Sequence, residues 1–175
     1  MMKRLIFTVL FMLSACESGF WGENGRGEMC PVVQILRDNA YLTQFVNYKE
    51  TFQINIDGYE GYCYYDREAE RYRAIIAPIF KVKRLAPSDE TEVRFSYYTE
   101  TVKGAPEYLG KKTYYVTVPI KTGERETYYK AAPAKVFIPS EKGYDYDINL
   151  GLWLSPEEAH YNHRTFDINY RYTEE

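Results

Sequence analysis

The chain has 175 residues, of which 22 are Lys or Arg and 25 are Asp or Glu, so its formal net charge is −3. This length suits one domain and is short for two, and the acidic balance argues against nucleic acid as a partner, because that would require a basic face. Tyrosine is over-represented, at 19 residues. With the many β-branched residues, it favours strands.

The first element is a short apolar run from Leu5 to Leu13, which follows Lys3 and Arg4. A charged start, a short apolar core and small residues after it are typical of a secretory signal peptide. The alternatives are an uncleaved membrane helix and an ordinary signal peptide in which Cys16, just after the run, has no special role. A spanning helix needs roughly 20 apolar residues, so the run is too short for the first alternative. We therefore expect cleavage.

The run closes with Leu13-Ser14-Ala15-Cys16, a tetrad that resembles the lipobox of bacterial lipoproteins. The resemblance implies that the signal is cut before Cys16, that a diacylglyceryl group is attached to the thiol of this cysteine, and that the new amino terminus is acylated. Several acyl chains together hold a protein firmly on a bilayer. In the Gram-negative lipoproteins that this segment resembles, an Asp after the cysteine favours inner-membrane retention. Glu17 stands there instead, so the resemblance leads us to expect an outer-membrane anchor and a periplasmic domain.

The remaining cysteines, Cys30 and Cys63, are an even pair in a protein expected to be exported. Oxidising compartments favour disulfides, so we predict that the two are joined. Closing a loop of about 34 residues is worth roughly 3.5 to 4 kcal/mol on the chain-entropy estimate. A metal or redox pair is the less favoured alternative, because the chain has no CxxC motif and only two histidines.

The sequence predicts four regions: a signal peptide at 1–15, the lipidated cysteine and a glycine-rich tether at 16–29, a β domain at 30–165, and a tail or extra strand at 166–175. In the first half of the domain we predict strands at 30–36, 51–59, 63–65 and 71–84, a short helix capped by Asp38 that carries residues 40–45, a turn or bulge at 58–61, and a charged turn at 66–70. Pro78 cannot donate to a ladder, so it predicts that strand 71–84 lies at an edge or breaks in two.

In the second half we predict strands at 91–99, 113–120, 134–138 and 144–154, with a loop at 101–110. The segment Ser155-Pro156-Glu157-Glu158 has the pattern of a capping box with proline in the first turn, and predicts a short helix to about Arg164. Seven or eight short strands at such spacing, with two short helices, predict a single antiparallel β-sandwich. A parallel α/β fold would need longer crossovers between its strands.

Three segments carry a resemblance to a group of small lipoproteins of Alphaproteobacteria: CPVVQILRDNAYLTQF at 30–45, GYEGYCYY at 58–65 and YDINLGLWLSPEEAHYNHR at 146–164. Members of this group carry Cys-Pro after the tether, a Gly-x-Cys-x-Tyr strand, and a last strand that runs into LxPEExxYNR. The chain departs from the pattern at His163, where arginine is usual. The resemblance supports the disulfide and the strand order, and implies no activity or ligand.

Two groups of side chains have metal-ligand chemistry. His160 and His163 lie three apart on the predicted helix with Glu157 near, and an acidic row on the last strand comprises Asp145, Asp147 and Asn149. Zinc needs a fuller set of ligands and calcium prefers six to eight oxygens from a tight loop. We favour solvated faces for both groups and predict no metal site.

The sequence has no GxSxG motif, phosphate loop or dinucleotide fingerprint. Since both domain cysteines are expected to be paired, neither is a candidate nucleophile. We predict no catalytic residues and no cofactor. A hydrolase with an unrecognised carboxylate pair stays open as an alternative.

Several tyrosines are neighbours in sequence, and neighbours on a strand face opposite ways. One ring of each pair is expected at the surface, and the candidates are Tyr64, Tyr98, Tyr115 and Tyr129. Such rings suit a protein partner or a glycan, although ordinary cross-strand pairing is the favoured explanation. We expect a lipid-anchored binding or assembly accessory for an envelope protein, with a glycan- or peptidoglycan-binding module as the alternative.

Overall fold

The structure, a computed structural model, describes residues 30–103, 107–138 and 145–171, with the side chains of 107–109 and 166–171 left aside. The predicted signal peptide, Cys16 and the tether lie outside these ranges. No helix within the described ranges is both long and apolar enough to cross a membrane.

Strands account for most of the described chain. Their bounds are β1 Val32–Ile35, β2 Tyr41–Val46, β3 Lys49–Asp66, β4 Arg71–Arg84, β5 Glu92–Lys103, β6 Glu107–Pro119, β7 Glu126–Lys130, β8 Ala134–Ile138 and β9 Asp147–Leu152, with one helix, α1, at Pro156–Arg171. A single 3-10 turn, Arg37–Asn39, joins β1 to β2.

The strands form two sheets. Sheet A has the order β1-β9-β5-β6, and sheet B has the order β2-β3-β4-β7. Strand β8 also pairs with β4, at residues 72–76, whereas β7 pairs with residues 79–83. The predicted all-β sandwich is confirmed. One pairing departs from the antiparallel prediction, since β1 runs parallel to β9. The register Val32 to Asp147 joins the first strand to the last, which local sequence patterns cannot indicate.

The core lies between the sheets because apolar residues alternate along their strands. Phe80 of β4 stands near its centre, with ring centroids 4.9 Å from Phe95 and 5.4 Å from Tyr97 of sheet A. A second, smaller apolar cluster surrounds Tyr72 and Ile148, near the disulfide. The disulfide itself is present, joining Cys30 before β1 to Cys63 of β3 with 6.0 Å between the Cα atoms. The predicted pairing is therefore confirmed.

The prediction made from Pro78, that β4 lies at an edge or breaks in two, is wrong. β4 is continuous and lies between β3 and the pair β7 and β8. The interruption falls in the neighbours instead: β7 ends at Lys130, β8 starts at Ala134, and the Ala131 N–H donates to the Pro78 carbonyl at 2.9 Å. The missing N–H of Pro78 thus falls at the gap between the two short strands.

Several element predictions are wrong. The loop predicted at 101–110 is largely strand, because residues 101–103 of β5 pair with residues 107–110 of β6. Residues 40–45 form strand β2 after the 3-10 turn, and no helix is capped by Asp38, because ladder pairing such as Leu42 to Ile54 outweighs the local helical signal. β7 was missed because it is five residues long with charges at both ends. Segments 51–59 and 63–65 form one strand, β3, with a bulge between Ile56 and Gly58.

Helix α1 begins where the capping box predicted. The Glu158 N–H donates to Ser155 Oγ at 3.2 Å and the Ser155 N–H donates to Glu158 Oε2 at 2.7 Å. The helix continues past the predicted end to Arg171. Its Asn162 side chain is buried and donates to the Tyr41 carbonyl at 2.6 Å, which fixes the helix against the start of β2.

Candidate binding surface

Tyr62 and Tyr64 are among the tyrosines that project from the outer face of sheet B. On β3, Tyr62 and Tyr64 lie two residues apart and so share a face; they are 55% and 41% exposed, and their rings stack with centroids 6.2 Å apart. Tyr65 faces the other way and packs edge-on against buried Tyr72 at 5.2 Å. The period of the strand thus separates surface rings from core rings.

A groove of about 300 Å³ adjoins this pair, and we call it the tyrosine groove. It is lined by Glu60, Gly61, Tyr62, Ile75, Ala77, Lys130, Ala131 and Pro133. Cross-strand pairing places Tyr62 beside Ile75 and Glu60 beside Ala77, so the apolar side chains of β4 form its floor. The groove lies alongside the interruption between β7 and β8, where sheet B lacks a continuous fourth strand.

An ion pair borders the groove. Lys130 Nζ donates to Glu60 Oε2 at 2.8 Å, and both side chains are about half exposed (54% and 52%). Such a pair contributes little to stability but supplies a donor and an acceptor beside an apolar floor. An aromatic ring, a small apolar floor and a few polar groups are the components of an ordinary recognition site.

The four tyrosines predicted to be exposed meet different outcomes. Tyr64 and Tyr115 are exposed, the latter at 88%. Tyr129 is half-buried and packs on the main core, and its neighbour Tyr128 is the exposed ring of that pair, at 56%. Tyr62, which alternation on the same strand could have indicated, is more exposed than Tyr64. The structure brings none of Tyr98, Tyr115 and Tyr129 into the tyrosine groove.

Tyr98 corrects the prediction most clearly, because it is only 3% exposed although it lies on the outer face of sheet A. Its ring covers Gly151, whose missing side chain leaves the space: a Cβ there would lie 2.7 Å from the Tyr98 hydroxyl. Trp153 packs against the same ring at 5.4 Å and Lys111 Nζ lies 3.4 Å above it. Burial, together with the Glu100 carboxylate, raises the pKa of Tyr98 to about 12.

The remaining candidate chemistry consists of metal ligands and paired carboxylates. Within the described ranges no three His, Cys, Asp or Glu side chains are grouped to hold a metal. Among the open grooves in the same part of the chain are those of about 280 to 300 Å³, and none of these has more than one carboxylate in its lining. The carboxylate in the tyrosine groove, Glu60, already pairs with Lys130.

Comparison with known proteins gives no assignment: no protein-family model, curated protein or solved structure matches the chain.

Proposed function

We propose that this protein is a lipid-anchored, non-catalytic binding domain of the bacterial cell envelope. The lipobox ending at Cys16 is the basis for the anchor, and the outer membrane with a periplasmic domain is the compartment it favours. The disulfide between Cys30 and Cys63 supports export, because such bonds persist in oxidising compartments.

The observation that carries the binding role is the stacked, exposed pair Tyr62 and Tyr64 beside the tyrosine groove. Tyrosine is enriched at protein interfaces because its rigid ring offers a large contact area while its hydroxyl remains hydrated. We propose that an envelope protein docks on this face and inserts an apolar side chain over Ile75 and Ala77.

Site-specific photocrosslinking in the native host tests this docking. A photoreactive residue at Tyr62 should give one discrete crosslinked species, whereas the same residue at Tyr115, which is exposed on sheet A, should not. Replacing both Tyr62 and Tyr64 with Ser should weaken capture of that partner by about ten-fold or more, as for interface aromatic residues generally. Equal crosslinking from both positions would contradict docking at the tyrosine groove.

A glycan, including a peptidoglycan fragment, is the second candidate ligand. The Glu60 and Lys130 pair beside the Tyr62 ring favours it, because a sugar presents an apolar face to an aromatic ring and hydroxyls to polar groups. Titration with peptidoglycan fragments should give saturable binding that is lost in Tyr62→Ser and kept in Tyr115→Ser. Binding that is the same in both variants would place the glycan elsewhere.

The anchor is tested separately from the ligand. Mass spectrometry of protein purified from its native host should show a chain that begins at Cys16 and carries acyl groups. In a Cys16→Ser variant we expect the protein to leave the membrane fraction, because its anchoring acyl chains would be gone. An unacylated amino terminus in the native protein would contradict the proposed anchor.

A further inference from the structure

A second groove lies where strands β4 and β8 of sheet B meet strands β5 and β6 of sheet A. We call it the basic groove, and its volume is about 280 Å³. Its lining combines three cationic residues, two threonines and an apolar edge: Arg71, Lys112, Lys135, Thr99, Thr101, Gly110, Val136 and Phe137. This volume is near the lower end of the range of about 300 to 1,000 Å³ for small-molecule sites.

The cations of this groove have no carboxylate partner among the described residues. The ion pairs of the described chain involve other basic residues, including Arg73, which pairs with Asp66. Instead, the Arg71 guanidinium lies 5.3 Å from the Phe137 ring, and Lys112 Nζ lies 5.2 Å from the Tyr114 ring. These contacts orient the positive groups without neutralising them.

Strand alternation keeps the nearest described acids of sheet A away from the groove. Glu100 lies between Thr99 and Thr101 on β5, so it faces the other side of the sheet, where it accepts from Asn149 at 3.1 Å. The two threonines are buried, at 3% and 7% exposure. The lining of the groove combines three positive charges with hydroxyl groups in a chain whose net charge is negative, and a cleft lined by one sign of charge concentrates its field. Asp66 lies opposite Arg71 in the β3–β4 ladder, and it pairs with Arg73 and accepts from the Ala69 N–H at 3.1 Å.

These groups match a phosphate monoester better than a carboxylate. A phosphate monoester carries about −1.5 to −2 charges and three strong acceptor oxygens, whereas a carboxylate carries one charge and two oxygens. Arginine binds such groups through paired N–H donors, and lysine binds them as a point charge. Phe137, which is 46% exposed, and Val136 provide an apolar wall for an organic group attached to the phosphate.

We propose that the basic groove binds the phosphate monoester of a small organic molecule, with Arg71, Lys112 and Lys135 holding the phosphate and Phe137 contacting the organic group. This proposal is independent of the tyrosine groove, because the linings of the two grooves share no residue. It requires no chemical step.

Isothermal titration of the intact domain with glucose 6-phosphate, glucose and inorganic phosphate tests the proposal. We expect saturable binding of the sugar phosphate, none of glucose, and weaker binding of inorganic phosphate, which cannot contact Phe137. The double variant Lys112→Gln, Lys135→Gln should weaken sugar-phosphate binding by about ten-fold or more, since it removes two charge-assisted contacts.

The matched control is Lys49→Gln, Lys121→Gln, which makes the same change in charge at exposed residues outside the basic groove. It should bind as the unchanged protein does, and so should Tyr62→Ser. Equal weakening in both double variants would reduce the effect to net charge and overturn the site, as would equal binding of inorganic phosphate and the sugar phosphate.

Phosphatidylcholine vesicles with and without phosphatidate distinguish a lipid headgroup from a soluble ester as the source of the phosphate. Binding to phosphatidate vesicles that depends on Lys112 and Lys135 would assign the groove to a lipid. Competition by glucose 6-phosphate would show that both sources use the same site. Absence of Lys112- and Lys135-dependent binding to either source overturns the proposal.

Discussion

Gly61 is the residue at which sheet B tolerates no side chain. A Cβ built there would lie 2.5 Å from the Ile75 carbonyl oxygen, which is backbone and cannot swing aside. We predict that Gly61→Ala lowers the free energy of unfolding by about 1–3 kcal/mol, the usual cost of overpacking. Urea denaturation measures it, with Gly58→Ala as the control because a Cβ there meets nothing within 4 Å. Equal effects of the two substitutions would contradict the close approach.

Asp66 gives a pH-dependent prediction. The backbone N–H of Ala69 lowers the pKa of its carboxyl group, and Arg73 and the N–H of Glu68 act in the same direction. A lowered pKa in the folded state stabilises the fold above the pKa of the unfolded chain, and this contribution is lost as the pH falls through the folded-state pKa.

Asp66→Ala should therefore lower the Tm at neutral pH, and the difference from the unchanged protein should shrink in acid, below about pH 4. Thermal unfolding followed by circular dichroism across this range is the measurement. Asp57→Ala, at an exposed position of β3, is the control. A Tm difference that stays constant with pH would contradict an ionised role for Asp66.

At the scale of elements, α1 depends on its amino-terminal cap. Ser155→Ala removes the hydroxyl that accepts from the Glu158 N–H and should cost about 1 kcal/mol, within the usual range of about 0.5–2. Ser155→Thr keeps an accepting hydroxyl and should retain most of the stability. Chemical denaturation of both variants measures the difference. If threonine is as harmful as alanine, the cap does not hold the helix.

The disulfide acts on strand β1, which is four residues long and pairs with one neighbour, β9. Replacing Cys30 and Cys63 together with Ser should destabilise the domain by about 3.5–4 kcal/mol, because the unfolded chain loses a cross-link 33 residues apart in sequence. Hydrogen exchange should show the largest loss of protection in β1. Uniform loss across both sheets would mean that the bond stabilises the fold only globally.

Alternation of apolar residues was enough to predict the long strands, because an exposed face and a buried face impose a period of two. This alternation located β4 at Arg71–Arg84 and β8 at Ala134–Ile138. The start of α1 was located by a different local signal, the capping box at Ser155. Alternation failed at β2, where ladder pairing with β3 overrides a helical signal.

The candidate surface was predicted less well than the fold. Exposure of a ring depends on what covers it, and Tyr98 is covered by Trp153 and lies over Gly151 across the ladder. Neither contact is visible in the sequence near Tyr98. The tyrosine groove depends on the interruption between β7 and β8, and the basic groove on two sheets meeting, so both arise from tertiary structure alone.

The stability of the whole molecule should depend on alkaline pH through two buried tyrosines. Burial raises the pKa of Tyr97 and Tyr98, whereas unfolded tyrosine titrates near pH 10. Because these pKa values are raised in the folded state, their contribution to stability is complete below about pH 10 and is lost as the pH rises through the folded-state values.

Tyrosinate absorbance should therefore show a late step, at about pH 12 or above, that coincides with loss of the far-ultraviolet signal. Tyr98→Phe should reduce this step. A single titration step with the fold intact would contradict the burial of these rings.

The pairing of β1 with β9 sets the order in which this chain can assemble. If the chain crosses a membrane with its amino terminus first, β1 emerges long before its partner β9. The strand then stays unpaired until almost the entire domain has crossed. The Cys30–Cys63 bond spans a much shorter stretch and can form earlier, which would hold the waiting strand beside β3. A chain stalled short of Asp147 would therefore keep β1 unpaired and open to proteases.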